Sequence, residues 1–287
     1  MEKILLAGAT GYLGGFILAE LTRREYPTKV IVRNPEKLSL TDHPVEVINA
    51  ELTKPSSLTG CCKDIDVVIS TVGITHQKDG LTYMDVDYQA NKNLLDEAVK
   101  SGVRKFMYVS VLEGEKLRDL KICEAKERFV DDLKQSGLDY CVIRPNGFFS
   151  DMTEFYNMAV KGRVYLFGKG IFKGNPIHGK DLAQICVDAI TNSDKEICAG
   201  GPDTLTHNQI AKTAFSVLGR KTRISYIPEW VRKTVLFVLK TVTSSKFYGP
   251  IEFFMTVLSM DLIAPEYGNH TLRAYFEELN RNKSQML

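Results

Sequence analysis

The sequence predicts an α/β fold, a doubly wound parallel sheet followed by a mostly helical region, on three observations. Short apolar runs alternate with stretches of helical period through the first 150 residues or so. The first run, Lys3 to Ala7, leads through glycines at 8, 11 and 14 into a helical pattern from Gly14 to Arg24. Beyond about residue 150 the alternation loosens and apolar helical stretches dominate.

The opening reads as strand, glycine turn, helix. Gly8 permits the tight turn, Gly11 leaves a pyrophosphate unobstructed, and Gly14 lets the helix pack close to the sheet. A helix N-terminus adds unpaired N–H groups and partial positive charge, which suit a phosphate. Gly8, Thr10, Gly11, Tyr12, Leu13 and Gly14 are therefore the expected cofactor contacts of a Rossmann-type turn.

The next elements follow in order. Lys29 to Arg33 is a second strand, ending in Val32-Arg33-Asn34-Pro35-Glu36-Lys37-Leu38. A strand serving NAD usually ends in Asp or Glu, for the ribose 2′-hydroxyl. A guanidinium instead forks onto a phosphate, so Arg33 predicts NADP(H), with Asn34 and Lys37 as helpers. Val45 to Asn49 is a third strand, and Glu51 and Leu52 beyond it stand where an adenine edge is gripped. Asp66 to Ser70 is a fourth, of the apolar kind buried in a parallel sheet. Thr71, Val72 and Gly73 end it, and Gly73 lets the backbone approach the cofactor. Residues 75–81 form a polar loop whose His76 and Asp79 either meet substrate or are simply solvated.

Tyr83 to Ser101 reads as one long helix with Tyr88, Leu94, Leu95, Ala98 and Val99 inward. Lys105 to Val109 is a fifth strand, ending at Ser110. Ile122 to Gln135 is a helix closed by Ser136-Gly137. Tyr140 to Arg144 is a sixth strand, and Pro145, Asn146 and Phe148 after it are expected at the nicotinamide end of the cofactor. Further on, Val164 to Gly170 reads as a short strand, and Leu182–Thr191, His207–Gly219, Pro228–Val242, Pro250–Leu262 and Thr271–Asn280 as helices. His178 either faces substrate or has a structural role, capping the helix after it or packing in the core. The basic, apolar stretch 228–262 has four readings: a lid over a flat greasy substrate, a surface between copies, a peripheral membrane contact, or plain core. One NAD(P)-binding domain over 1–287 is expected, with its substrate region built mainly from 150–175 and 200–287.

Composition narrows the function. A net charge of +2 over 287 residues argues against a general nucleic-acid binder. The six cysteines have no metal-ligand spacing and read as reduced thiols of a cytoplasmic protein, and no metal is expected. The apolar strand begins almost at the first residue, leaving no room for a signal peptide. No apolar run approaches a membrane span.

These residues resemble the short-chain dehydrogenase/reductase superfamily, in its atypical NmrA-like branch. Gly-Ala-Thr-Gly-Tyr-Leu-Gly at 8–14, Val-Arg-Asn-Pro-Glu-Lys-Leu at 32–38 and Ser-Thr-Val-Gly at 70–73 carry the likeness. Lys126, Ser136-Gly137-Leu138, Ile143-Arg144-Pro145, His178 to Ala183 and Gly201 to Thr206 extend it. The ending Ala264 to Leu272 is similar to the tail of divinyl chlorophyllide 8-vinyl reductases. The resemblance implies an NADP-dependent oxidoreductase in which Lys126 is the catalytic-helix lysine and contacts the nicotinamide ribose.

One departure matters. The superfamily's usual acid is the tyrosine four residues before that lysine, and residue 122 is isoleucine; no tyrosine occurs from Leu112 to Asp139. The usual serine position, about two residues past Ser110, is Leu112. Loss of a positioned acid removes roughly two to four orders of magnitude of rate. Ketone reduction, which builds an alkoxide, suffers most. Hydride addition to a conjugated C=C bond or a quinone, whose charge is delocalised, suffers less. Two functions follow: a reductase of a small lipophilic acceptor, or a non-catalytic NADP(H)-binding sensor or assembly protein.

Overall fold

The computed structural model describes residues 1–38, 44–75, 77 and 80–285. His76 and Asp79 lie outside the described residues. In chain order the strands are β1 Ile4–Ala7, β2 Thr28–Val32, β3 Glu46–Asn49, β4 Val67–Ser70, β5 Lys105–Val109, β6 Asp139–Pro145, β7 Val164–Phe167, β8 Lys173–Gly174, β9 Glu196–Ala199, β10 Leu205–Thr206 and β11 Ile224–Ile227. The α-helices are α1 Tyr12–Arg23, α2 Asn91–Lys100, α3 Lys121–Gln135, α4 Phe149–Val160, α5 Gly179–Asp188, α6 His207–Val217, α7 Glu229–Val242, α8 Ser245–Val257 and α9 Leu272–Gln285. The chain divides into two compact units, one of Met1–Arg144 with Leu182–Ile197, the other of Pro145–Asp181 with Cys198–Leu287.

The first unit is built on a seven-stranded parallel sheet in the order β3-β2-β1-β4-β5-β6-β9. The order reverses at β1, which lies between β2 and β4, and this is where open α/β sheets bind ligands. β4 and β5 are buried along their whole length, as expected of strands covered on both faces. Lys105 is fully buried in β5 and donates to the carbonyls of Ala189 (2.7 Å) and Asn192 (2.6 Å), just past α5. A cation there satisfies carbonyls that a helix end leaves without partners.

The second unit has its own core, where Phe149, Phe155 and Tyr156 of α4 pack with Ile210 and Phe215 of α6 and Phe276 of α9. A reciprocal cap starts α6: Gln209 N donates to Thr206 Oγ1, and Thr206 N donates to Gln209 Oε1. Asn175, fully buried, donates to the carbonyls of Gly201 and Ala264 and accepts from Ala264 N and Asn146 Nδ2.

The structure corrects the sequence reading in several places. The predicted helix 83–101 is two elements, a π-helical segment Met84–Ala90 followed by α2, and Val99 points to solvent. Asp87 and Asn91 turn inward, where Asn91 Nδ2 donates to the carbonyls of Val72, Val86 and Asp87. A seventh strand of the sheet, β9, lies at its edge and is fully buried only at Ala199, so it carries no apolar run of the kind that marks the central strands. α4 was hidden by its many Ser, Asp, Thr and Asn residues, weak helix formers; Asp151 accepts from Phe148 N at 3.1 Å and secures its first turn. The predicted helix 250–262 is shifted to α8, with Pro250 inside it and not at its start.

Among the ion pairs of the described residues of the first unit, Glu127–Arg144 is the most deeply buried, at 2.6 and 2.9 Å. Removing one member strands a buried charge, at a cost of about 3–5 kcal/mol. Glu127→Ala is therefore expected to lower stability by about 3 kcal/mol, with Glu127→Gln losing less. A urea midpoint unchanged in Glu127→Ala would refute this.

Candidate functional site

The glycine turn leaves β1 and enters α1. Gly8 has φ +92°, a left-handed conformation open to glycine, and a Cβ there would lie 2.4 Å from Thr71 Oγ1. A Cβ on Gly14 would lie 2.0 Å from the Gly8 carbonyl oxygen, so helix and turn touch through backbone alone. Gly11 differs from both. It is exposed, has an ordinary extended backbone (φ −84°, ψ 169°), and a Cβ would meet only Gly8 O, at 3.2 Å. It is the N-cap of α1, and no side chain caps the first turn that Tyr12, Leu13 and Gly14 begin. The N–H groups of that turn suit an anion, and Thr10 is exposed beside them.

The other predicted contacts of the first unit follow the C-terminal ends of its strands. Arg33 follows β2, is exposed, and makes no hydrogen bond or ion pair among the described residues. Asn34 is partly committed, its Oδ1 accepting from Glu36 N at 3.0 Å. Glu51, after β3, pairs with Lys54 at 2.6 Å and accepts from Thr53 Oγ1. Lys54 holds its carboxyl below the usual range, helped by Thr53 and the more distant Arg33. Leu52 buries its side chain in the core. After β4, Thr71 Oγ1 donates to Ala7 O at 3.3 Å, Val72 carries the carbonyl taken by Asn91, and Gly73 is exposed.

Gly73 sits over a polar group that sequence reasoning did not find. Lys126 Nζ lies 3.0 Å from Asp87 Oδ1 and 3.5 Å from Tyr108 Oη. Asp87 and Tyr108 are fully buried, and the Lys126 side chain is 13% exposed. A Cβ on Gly73 would come within 2.5 Å of Asp87 Oδ1 and 2.7 Å of Lys126 Nζ. Burial pushes the Asp87 carboxyl up, and Lys126 and Ile74 N pull it partly back. Burial works against the Lys126 ammonium too, but the charge of Asp87 beside it and the hydrogen bonds to Asp87 and to Tyr108 Oη override it and hold its pKa above the ordinary lysine range. Burial raises the Tyr108 phenol. The cluster is thus a fixed ammonium on a buried carboxylate, backed by a neutral phenol. Tyr108 reads as plain core in the run Lys-Phe-Met-Tyr-Val, and Asp87 is one of several polar residues in its segment. The Asp87-x-x-x-Asn91 spacing was the available signal, because it puts two polar groups on one helical face.

Ser110, expected as a cofactor contact, has its hydroxyl engaged within the fold. Ser110 is buried and donates to Glu127 Oε1 at 2.6 Å. Ile122 and Leu112 are buried hydrocarbons.

Pro145, Asn146 and Phe148 open the second unit. Pro145 ends β6, and Asn146 is held within its own unit, donating to Asn175 Oδ1 and Leu262 O, both at 2.7 Å. Phe148 precedes α4 and bridges to Ile177. His178 accepts from Lys180 N through Nδ1 (3.1 Å), which caps the start of α5. Its ring stacks on His270 at 4.5 Å, and His270 Nδ1 lies 2.7 Å from Asp181 Oδ1. Burial lowers the His178 pKa, and His270 adds to it.

The NAD(P)H-binding family model matches residues 8–193. That is more than half of the chain, which belongs to this family. Across 97% of its length the chain is 26% identical to a chloroplastic divinyl chlorophyllide a 8-vinyl-reductase of Zea mays, covering 79% of that protein. It is 24% identical to the photosystem II assembly factor Ycf39 of Synechocystis sp., over 79% of this chain and 71% of that one. An NADPH-dependent quinone oxidoreductase from Escherichia coli, solved with NADPH, shares the fold with a TM-score of 0.73 at 18% identity, over 96% of this chain and 99% of that one. An uncapped helix start beside an exposed glycine fits a dinucleotide pyrophosphate.

Two glycine substitutions separate folding from binding. Gly11→Val has an allowed backbone and a single close contact, 3.2 Å to Gly8 O, that a shift of a few tenths of an ångström relieves, so the protein is expected to fold, yet its branched side chain obstructs the phosphate and weakens dinucleotide binding by about a hundredfold, the worth of one or two charge-assisted hydrogen bonds. Gly14→Ala drives a methyl into Gly8 O and is expected to lower the thermal midpoint. Calorimetry and melting curves check both; near-normal binding by folded Gly11→Val would move the phosphate elsewhere.

Proposed function

We propose that this NAD(P)H-binding chain is an NADPH-dependent reductase of the atypical short-chain, NmrA-like type, working in a reducing, cytoplasm-like compartment. Its acceptor is a small lipophilic molecule with a conjugated C=C bond or a quinone. The observation that carries the reading is the Lys126–Asp87–Tyr108 cluster beneath Gly73 combined with hydrocarbon at Ile122. The first keeps a positive charge at a cofactor-facing strand end, and the second removes the acid needed for an alkoxide. The vinyl-reductase relative, and the quinone oxidoreductase with the same fold, agree with this choice.

The division of labour follows from the residues. Bound NADPH would supply a hydride at its nicotinamide ring. The first turn of α1 would hold the pyrophosphate, and Arg33, free of other partners among the described residues, the 2′-phosphate. Glu51 and the Leu52 backbone would border the adenine. Thr71, Val72, Gly73 and Ser110 would line the remainder, largely through backbone. Lys126 has a pKa held up by its neighbours, so it keeps its proton at neutral pH. A general acid works best with a pKa near the operating pH. Lys126 therefore serves as a fixed charge, orienting the ribose and stabilising delocalised negative charge, and the final proton comes from water.

A second reading has its own observation. The Lys126 ammonium is already paired with Asp87, which suits a protein that binds cofactor without turning it over, and the assembly-factor relatives point the same way. NADPH absorbance on purified protein separates the two. The reductase reading expects oxidation with quinones and conjugated enones to exceed that with saturated ketones, and Lys126→Ala to reduce it by roughly a hundredfold. Tight NADPH binding with no oxidation by any acceptor would favour the non-catalytic reading. Arg33→Glu is expected to weaken NADPH by about tenfold or more through loss of a charge-assisted contact and to favour NADH. Equal binding of both cofactors by the unaltered protein would remove Arg33 from its role.

A further inference from the structure

The second unit carries a helical hairpin, α7 and α8, with an apolar outer face. No residue of α7 is buried. Trp230 is 68% exposed, Phe237 69%, Val242 71% and Phe247, in the first turn of α8, 58%. At about 100° per residue, Trp230, Val235, Phe237, Val238 and Val242 share an arc of roughly 160° on α7. Arg232 and Leu239 lie on the other side, where Arg232 Nη1 donates to Met255 O of α8. The exposed arc is thus the side turned away from the hairpin partner. An apolar patch left open in this way marks an interaction site.

Charge indicates what covers it. From Pro228 to Gly249 the sequence has four cations, Arg232, Lys233, Lys240 and Lys246, against one carboxylate, Glu229. Glu229 is held by Arg232 at 2.8 Å, and Lys240 is paired with buried Glu252 of α8. Lys233 and Lys240 border the apolar arc at one edge of the same helix. A second copy of this chain would bring the same cations against themselves in a twofold contact. A bilayer bearing anionic phospholipid matches both properties, since its headgroups pair with the lysines and its acyl boundary takes the aromatic rings. α7 has 14 residues, about 21 Å of helix, well short of the roughly 30 Å hydrocarbon core. No helix of the described residues is long and apolar enough to cross a membrane. The hairpin would lie flat.

We propose that α7, with the start of α8, docks on the surface of a bilayer containing anionic phospholipid, through Trp230, Phe237, Val242 and Phe247, with Lys233 at the edge of the apolar arc to meet the headgroups. The proposal stands independently of the redox reading and adds to it a membrane from which a lipophilic acceptor would be drawn.

The chain's one tryptophan is Trp230, which reports on the face directly. Full-length protein is mixed with vesicles of phosphatidylcholine alone or with phosphatidylglycerol added. The expected result is a blue shift of tryptophan emission and co-flotation with the anionic vesicles, weakened by salt. Phe237→Glu should lower binding by at least about tenfold. Lys233→Glu should lower it about fivefold or more on anionic vesicles, the worth of one surface cation, with no effect on neutral ones. Both positions are exposed, and unchanged NADPH binding by each variant confirms that it folds. No shift and no flotation with either vesicle would overturn the proposal. So would a concentration-dependent dimer that Phe237→Glu dissolves, which assigns the face to a second copy, or a blue shift produced by a soluble quinone without vesicles, which assigns it to a substrate lid.

Discussion

The approach of α1 to the end of β1 is the constraint from which the site follows. With a Cβ on residue 14 only 2.0 Å from Gly8 O, position 14 in the first turn of α1 has to be glycine for the helix to reach its place. That contact fixes the direction in which α1 leaves the sheet and turns its uncapped N–H groups outward past Gly11. It also fixes Gly8 against Thr71, so the turn after β1 and the end of β4 are set by the same glycine. These two strands flank the place where strand order reverses, so a local packing requirement also defines the binding crevice of the sheet.

The polar interior of the first unit is arranged around the same strand ends. Ser70 donates to Asn91 at 2.6 Å, and Asn91 in turn binds the carbonyl of Val72 and two carbonyls of the π-helical segment. Asp87 and Asn91, four residues apart on one helical face, both turn inward. Asp87 then meets Lys126 of α3, and Tyr108 of β5 closes the group from behind. Buried polar groups are costly unless satisfied, so this arrangement holds β4, α3 and the π-segment in one geometry. Ser110, Glu127 and Arg144 do the same a short way along the sheet, which explains why Ser110 is occupied structurally.

The apolar hairpin of the second unit belongs to another kind of physics. Its residues are not needed to fill a core, since Phe149, Phe155, Phe215 and Phe276 do that without them. Their exposure alongside lysines is a surface property of the hairpin.

The sequence alone determined six of the seven strands of the sheet and the glycine turn after β1. Strand and helix periods are local, and the three glycines have backbone roles that hardly depend on neighbours, so β1 to β6, α1 and α3 were legible to within a residue or two. Arg33 was legible because its position at a strand end is itself a local fact. What needed the tertiary structure was everything set by long-range polar pairing. Tyr108 looks like core until Lys126 is beside it, and Asp87 and Asn91 look like surface until the fold buries them. The missing tyrosine at 122 was read correctly as an absence, but the phenol behind Lys126 comes from a strand 18 residues earlier, outside any window that periodicity searches. The stretch 228–262 stayed ambiguous for the same reason: amphipathicity tells that a face is apolar, and only packing decides whether anything in the fold covers it.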